Sequence, residues 1–209
     1  MGTRKKQAVR CPHCQLHLAS CLCDQIEPLE LATRLLLVMH HTEQHRTTGT
    51  GKLALQVLSN HTFMLHGYEH APIDLNDHVD PARRGLILFP SDDAQPLTAA
   101  FLAQDPRPVT LLVPDGSWRQ ASKAARRLPG VEHFENVTLP DGPRSRYQLR
   151  REPKEGGLAT MEAIARAYGV LEGPHAKEPL ERVFHEMVRR SLMAKQQPRQ
   201  VKQQPPQSR

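Results

Sequence analysis

Four cysteines fall within thirteen positions, Cys11-Pro12-His13-Cys14 and then Cys21-Leu22-Cys23, and none occurs elsewhere in the chain. Four thiolates at that density can close a tetrahedral shell round one Zn²⁺, with the basic neighbours Lys6 and Arg10 favouring ionised sulfurs. The second half is Cys-x-Cys, one residue short of the usual spacer. Two disulfides, an iron–sulfur cluster and uncoordinated thiols are the alternatives. His13 and His17 read as lying outside the shell.

Three polar segments carry the other reactive types. Pro114-Asp115-Gly116-Ser117-Trp118-Arg119-Gln120 follows an apolar run and opens a helical pattern. Asp115 there can act as a general base or orienting group; equally, Asp115 or Ser117 can simply cap the helix. Trp118, the one tryptophan, suits a buried helix start or a planar ligand. Arg119, Lys123 and Arg126 fall close to one helix face and suit a polyanion, the plain alternative being a solvated face. A second segment, His40-His41-Thr42-Glu43-Gln44-His45-Arg46, leads through Thr/Gly-rich sequence into Gly51-Lys52-Leu53. Such sequence before a helix can cradle an anion. It is no Walker loop, since leucine follows Gly51-Lys52, and its histidines match no zincin spacing, so they read as solvated or RNA-facing. In the third, Arg144, Arg146, Arg150 and Arg151 with Tyr147 interleaved can contact phosphate and stack a base, or form a solvated basic loop.

These residues need a scaffold. Short apolar runs bounded by breakers predict strands over Leu31–His40, Thr62–Leu65, Gly85–Phe89, Pro108–Val113 and Phe134–Thr138. Leu35-Leu36-Leu37-Val38 and Leu86-Ile87-Leu88-Phe89 are apolar throughout, as strands buried on both faces are. Helices are expected over Gly51–Leu58, Ala94–Leu102, Trp118–Leu128, Ala159–Tyr168 and Pro179–Met193. The last sets Leu180, Val183, Phe184, Met187 and Val188 against Glu181, Arg182, Glu186, Arg189 and Arg190. Alternation of strand and helix predicts an α/β domain with a mostly parallel sheet, whose ligand loops follow Met39, Phe89 and Val113. Residues 1–26 form a basic lead-in and cysteine cluster, 27–193 the main domain, and the Gln/Pro/Lys-rich 194–209 a disordered tail.

With 28 Lys and Arg against 22 Asp and Glu, the net charge is +6 and the pI about 9.4, which favours nucleic acid among acidic partners. No apolar stretch approaches the roughly 20 residues of a membrane span, and the basic N-terminus lacks an apolar signal core. A cytoplasmic, membrane-free protein is expected.

Taken in order, the segments resemble the DTW-domain family, named for a D-x-T-W motif. The resemblance rests on the cysteine cluster, His40–Leu53, Leu88-Phe89-Pro90-Ser91, Pro114–Trp118, Tyr147-x-Leu149-Arg150 and Leu158-x-Thr160-x-Glu162-Ala163. Ser117 stands where the family has threonine, keeping the hydroxyl and losing a methyl group. The resemblance implies a SPOUT-related fold with a C-terminal trefoil knot. It implies S-adenosylmethionine as co-substrate and transfer of its 3-amino-3-carboxypropyl group to N3 of a tRNA uridine, with release of methylthioadenosine. On that basis Asp115, Ser117 and Trp118 are the catalytic candidates. Leu88, Phe89, Pro90, Pro114, Gly116, Ser117, Leu149 and Thr160 are the cofactor-binding ones. Arg46, Arg119, Lys123, Arg146 and Arg150 are the candidates for RNA, and Cys11, Cys14, Cys21 and Cys23 for a structural zinc. A SPOUT-type RNA methyltransferase and a non-catalytic zinc-containing RNA-binding protein are the rival readings. DNA is not an expected partner, and the sequence favours neither monomer nor homodimer.

Overall fold

The computed structural model describes residues 9–46, 49–147 and 157–196. Six strands form one parallel sheet: β1 Arg34–His40, β2 His61–His66, β3 Arg84–Leu88, β4 Gln95–Pro96, β5 Val109–Asp115 and β6 Glu135–Thr138, in the order β2-β1-β5-β3-β6-β4. The helices are α1 Gly51–Val57, α2 Ala99–Leu102, α3 Trp118–Arg127, α4 Thr160–Leu171 and α5 Pro174–Gln196.

The apolar runs are central strands because side chains alternate faces and both faces are covered. Leu35, Leu37 and Met39 of β1, with Leu111 and Val113 of β5 and Leu86 and Leu88 of β3, join the core that α1, α4 and α5 close. Leu36, Val38, Leu112, Ile87 and Phe89 point the other way, under Ala121 and Ala125 of α3. At about 1.5–3 kcal/mol for each fully buried large aliphatic side chain, these two faces are what hold the sheet.

Helix bounds differ from expectation: α4 runs on to Leu171 rather than Tyr168, α5 ends at Gln196 rather than Met193, past the expected start of the tail, and two helices start elsewhere. The run from Ala94 is interrupted: Gln95–Pro96 pairs with β6 at the sheet edge, Leu97 N–H donates to Thr138 O at 2.8 Å, and α2 starts only after Thr98 caps Phe101 N–H. Proline lacks a ladder donor and is tolerated at an edge. The last helix begins at Pro174 rather than Pro179, because the turn at Glu172-Gly173 closes α4 and places Pro174 at a first helical position.

The cysteine segment packs on this body. Leu22 is fully buried in the main core, and Leu16 and Ile26 lie against it. Arg190 of α5 donates to Cys21 O and pairs with Asp24, whose carboxyl it holds down at about 2. Among the described residues no helix is long and apolar enough to cross a membrane.

Candidate functional site

In an open parallel sheet, ligands bind where neighbouring strands send their connections to opposite sides. β1 leads through α1 to β2 on one side, and β5 leads through α3 toward β6 on the other. The crevice expected at such a switch point falls between the carboxyl ends of β1 and β5, at His40 and Asp115. Met39 and Asp115 are register partners, as are His40 and His66 of β2.

Asp115 ends β5 and is buried at 7 % exposure. Its Oδ1 accepts the Thr160 hydroxyl at 2.7 Å, at the start of α4. Its Oδ2 lies against Gly51, where a Cβ would overlap that oxygen and lie 3.1 Å from Asp115 Cγ. Thr50 Oγ1 in turn accepts Met161 N–H at 3.2 Å. Asp115, Thr50-Gly51 and Thr160-Met161, far apart in sequence, thus meet at one point.

Ser117, not Asp115, caps α3. Its Oγ accepts Gln120 N–H at 3.4 Å, while Gln120 Oε1 accepts Ser117 N–H at 2.8 Å, a reciprocal capping box. Trp118 is 46 % exposed rather than buried, with its ring 5.1 Å from that of Phe89. Phe89 and Leu88 are themselves core residues; Pro90 is exposed and Gly116 and Ser117 half-buried beside them. Pro114 is buried within β5. Thr160, expected at the cofactor, is bonded to Asp115. Leu149 and Arg150 lie outside the described residues.

Glu162, two residues after Thr160, is buried and holds the neighbouring loop. Its carboxylate accepts Ser145 Oγ at 2.6 Å, Arg146 N–H at 2.8 Å and Ala159 N–H at 2.9 Å. Arg146 is exposed. Tyr147, expected to stack a base, is instead buried at 9 % exposure with its ring 5.7 Å from that of Phe184, so it fills the core. Arg119, Lys123 and Arg126 are exposed on α3, as the spacing predicts. Arg46 is half-exposed, its Nε 3.2 Å from the buried Glu43.

The histidines are more engaged than the sequence suggests. His40, His41, His66 and Tyr68 form a chain of ring contacts 4.4–5.1 Å apart. His66 is 7 % exposed, and burial, with His40, His41 and Lys123 adding repulsion, pushes its pKa down to about 4. His66 therefore stays neutral in the fold while an unfolded histidine titrates near 6.5. Its contribution is complete above pH 6.5 and is lost as pH falls toward about 4, on the order of 2 kcal/mol. Chemical denaturation across pH 4–7 should show this slope, and His66→Gln should flatten it by about one proton; an unchanged slope in that variant would assign it elsewhere.

Sequence reasoning passed over His66, Gln120 and the closeness of Gly51 to Asp115. The Ser117-x-x-Gln120 spacing is a capping-box signature and marks Gln120; nothing local marks the other two.

The four cysteine sulfurs lie within 4.8 Å of one another, with Cys11–Cys23 at 3.5 Å and Cys14–Cys21 at 3.8 Å. Tetrahedral zinc with Zn–S near 2.3 Å needs sulfurs about 3.8 Å apart, so the donor set fits. The Cys11-Pro12-His13-Cys14 turn closes through Gln15 N–H to Cys11 O and Cys11 N–H to Leu16 O. Backbone N–H groups of Cys14 and His13 hold the Cys11 thiol down at about 6, and burial pushes Cys14 up. A divalent cation would offset that crowding of thiolates.

The DTW domain model matches residues 8–192. The chain is 27 % identical over 191 residues to tRNA-uridine aminocarboxypropyltransferase 2 of Drosophila melanogaster, covering 88 % of this chain and 75 % of that protein. It is 26 % identical over 172 residues to the protein of that name in Macaca fascicularis, covering 80 % and 58 %. To tRNA-uridine aminocarboxypropyltransferase A of Arabidopsis thaliana it is 27 % identical over 215 residues, covering 86 % and 79 %. No solved structure matches. With the matched residues running from before the cysteine cluster into α5, the chain belongs to the DTW domain family.

Proposed function

We propose that this protein transfers the 3-amino-3-carboxypropyl group of S-adenosylmethionine to N3 of a uridine in tRNA, releasing methylthioadenosine. The observation that carries it is the meeting of Thr50-Gly51, Asp115 and Thr160 at the switch-point crevice. Thr160 holds one oxygen of that buried carboxylate and Gly51 packs on the other. The relatives' names supply the reaction class.

The crevice residues fit the co-substrate. Trp118, about half exposed beside Phe89, offers a flat, partly open aromatic surface. Leu88, Phe89, Pro90, Pro114, Gly116, Ser117, Leu149 and Thr160 would hold it, several through backbone atoms because their side chains are in the core. When bound, S-adenosylmethionine supplies a methylene carbon activated by the adjoining sulfonium. N3 of uridine must give up a proton to become nucleophilic, and Asp115 is the carboxylate that takes or orients that proton. Thr160 and the start of α1 hold Asp115 in place, so the protein's main contribution is positioning. Ser117 and Trp118 shape the same loop. Arg46, Arg119, Lys123, Arg146 and Arg150 would bind RNA phosphates or the co-substrate's carboxylate.

A SPOUT-related fold with a C-terminal trefoil knot, and action in the cytoplasm, belong to the same reading. So does the division into a zinc segment over 1–26, a catalytic domain over 27–193 and a tail over 194–209. Zinc in the Cys11, Cys14, Cys21 and Cys23 site is structural in this reading. Since Leu22 sits in the main core and α5 holds the segment, metal removal should destabilise the whole chain, not a detached appendage. Loss of about 3 kcal/mol, or about 10 °C in Tm, is expected on treatment with a strong chelator and reversal on adding Zn²⁺. An unchanged Tm in a metal-free protein would remove the zinc assignment.

The reaction is tested by its small product. With unmodified tRNA present, methylthioadenosine should accumulate in step with modified nucleoside. S-adenosylhomocysteine instead would mean methyl transfer, and neither product would favour a binding module.

A further inference from the structure

Gln120 joins the two loops that flank the crevice. Its amide orientation is fixed, because Oε1 accepts both Ser117 N–H at 2.8 Å and Ser117 Oγ–H at 2.8 Å. Nε2 must therefore face the other way, where it reaches His40 Nδ1 and Thr42 Oγ1, each at 3.1 Å. Thr42 N–H also donates to His40 Nδ1, at 3.3 Å. Nδ1 also lies 2.9 Å from the Thr42 hydroxyl, which can donate or accept, so the two donors that cannot reverse decide the tautomer and leave Nδ1 as the unprotonated nitrogen. The neutral ring then carries its proton on Nε2. That edge lies against Gly67, where φ is +91° and a Cβ would stand 2.6 Å from Nε2. Glycine at 67 keeps the edge uncovered, and among the described residues no hydrogen bond engages Nε2.

We propose that Gln120 is a positioning residue that ties the His40–Thr42 turn to the Asp115–Trp118 loop and presents His40 to the substrate as a neutral donor through Nε2–H. Resting on the reading above, it gives His40 a defined partner: a carbonyl oxygen of the pyrimidine beside N3, on which negative charge builds as N3 loses its proton. A neutral imidazole suits that task because it donates without adding a proton that the carboxylate would take. Burial lowers the pKa of His40, and His41 and Lys123 lower it further, while Glu43 opposes them. His66 faces it from β2, 5.1 Å away between ring centres.

Gln120→Glu separates positioning from folding. Glutamate is the other residue that completes a capping box, so Ser117 and α3 keep their cap. Opposite His40, however, it replaces a donor by a charged acceptor, which demands a proton on Nδ1. In ¹⁵N-resolved NMR of the full chain without RNA or co-substrate, wild-type His40 should show the Nε2–H tautomer. In Gln120→Glu it should move to Nδ1–H or titrate at least one pH unit higher. Turnover should fall at least tenfold, with KM for S-adenosylmethionine changed less than threefold and the pH profile displaced in the same sense as the NMR titration. Gln120→Met, which removes the donor without adding charge, should lower turnover without raising the titration. An Nδ1–H tautomer in the wild type, or unchanged His40 signals in Gln120→Glu, would overturn the proposal. A displaced tautomer with unchanged turnover would also overturn it. The NMR result does not depend on the reaction, so a wild type that binds tRNA but transfers nothing would sink the functional reading while the tautomer is still decided.

Discussion

Asp115→Asn is expected to lower turnover about 10²–10³-fold while leaving the affinity for S-adenosylmethionine within about threefold. The substitution is nearly isosteric. Asparagine Oδ1 can still accept the Thr160 hydroxyl that Asp115 now binds at 2.7 Å, so the junction of β5 with α4 should hold. What disappears is the negative charge, and with it the ability to accept a proton from N3. Isothermal titration for the co-substrate and single-turnover rates on tRNA separate the two effects. Unchanged turnover would remove Asp115 as base and leave it a structural role between α1 and α4. Loss of binding and turnover together would instead mean that the carboxylate orients the co-substrate.

Gly51→Ala should be nearly as damaging, although it touches no reacting atom. In a helix, alanine for glycine ordinarily stabilises by about 0.5–1 kcal/mol. Here the added carbon would overlap Asp115 Oδ2 and come within 3.4 Å of Leu37 Cδ1. That carboxylate is no flexible chain end: it is buried and held on its other oxygen by Thr160. Overpacking at such a place costs about 1–3 kcal/mol, which outweighs the helix gain. Displacing Asp115 by a few tenths of an ångström to an ångström should also lower turnover about 10–100-fold. The two measurements are a denaturation midpoint and a rate; an alanine variant as stable and as fast as the parent would show that Asp115 does not need this contact.

The scaffold was legible for simple reasons. Strands buried on both faces carry uninterrupted apolar runs, and β1, β3 and β5 read that way directly. Elements resting on fewer contacts were less so: a two-residue edge strand such as Gln95–Pro96 has no period to detect. The cysteine cluster was legible because four thiols within thirteen positions stand out in a chain with no other cysteine. The Asp115–Trp118 loop was legible as a segment but not as a geometry. Sequence suggests that Asp115 either caps a helix or works in a site, and only the fold shows Ser117 as the cap and frees Asp115 to meet Gly51 and Thr160. Tyr147 illustrates the reverse error, since arginines on both sides suggested a base-stacking role and packing against Phe184 decided otherwise. Partnerships between residues 50, 115 and 160 leave no local trace, because they are set by strand order.

The proposed reaction is decided by which carbon of the co-substrate reaches RNA. Purified protein incubated with unmodified tRNA and S-adenosylmethionine, labelled separately in the carboxyl and the methyl carbon, decides it. Carboxyl label in the tRNA without methyl label is the expected result. Methyl label alone would contradict the proposed reaction while keeping the site, and no label from competent tRNA would contradict catalysis altogether.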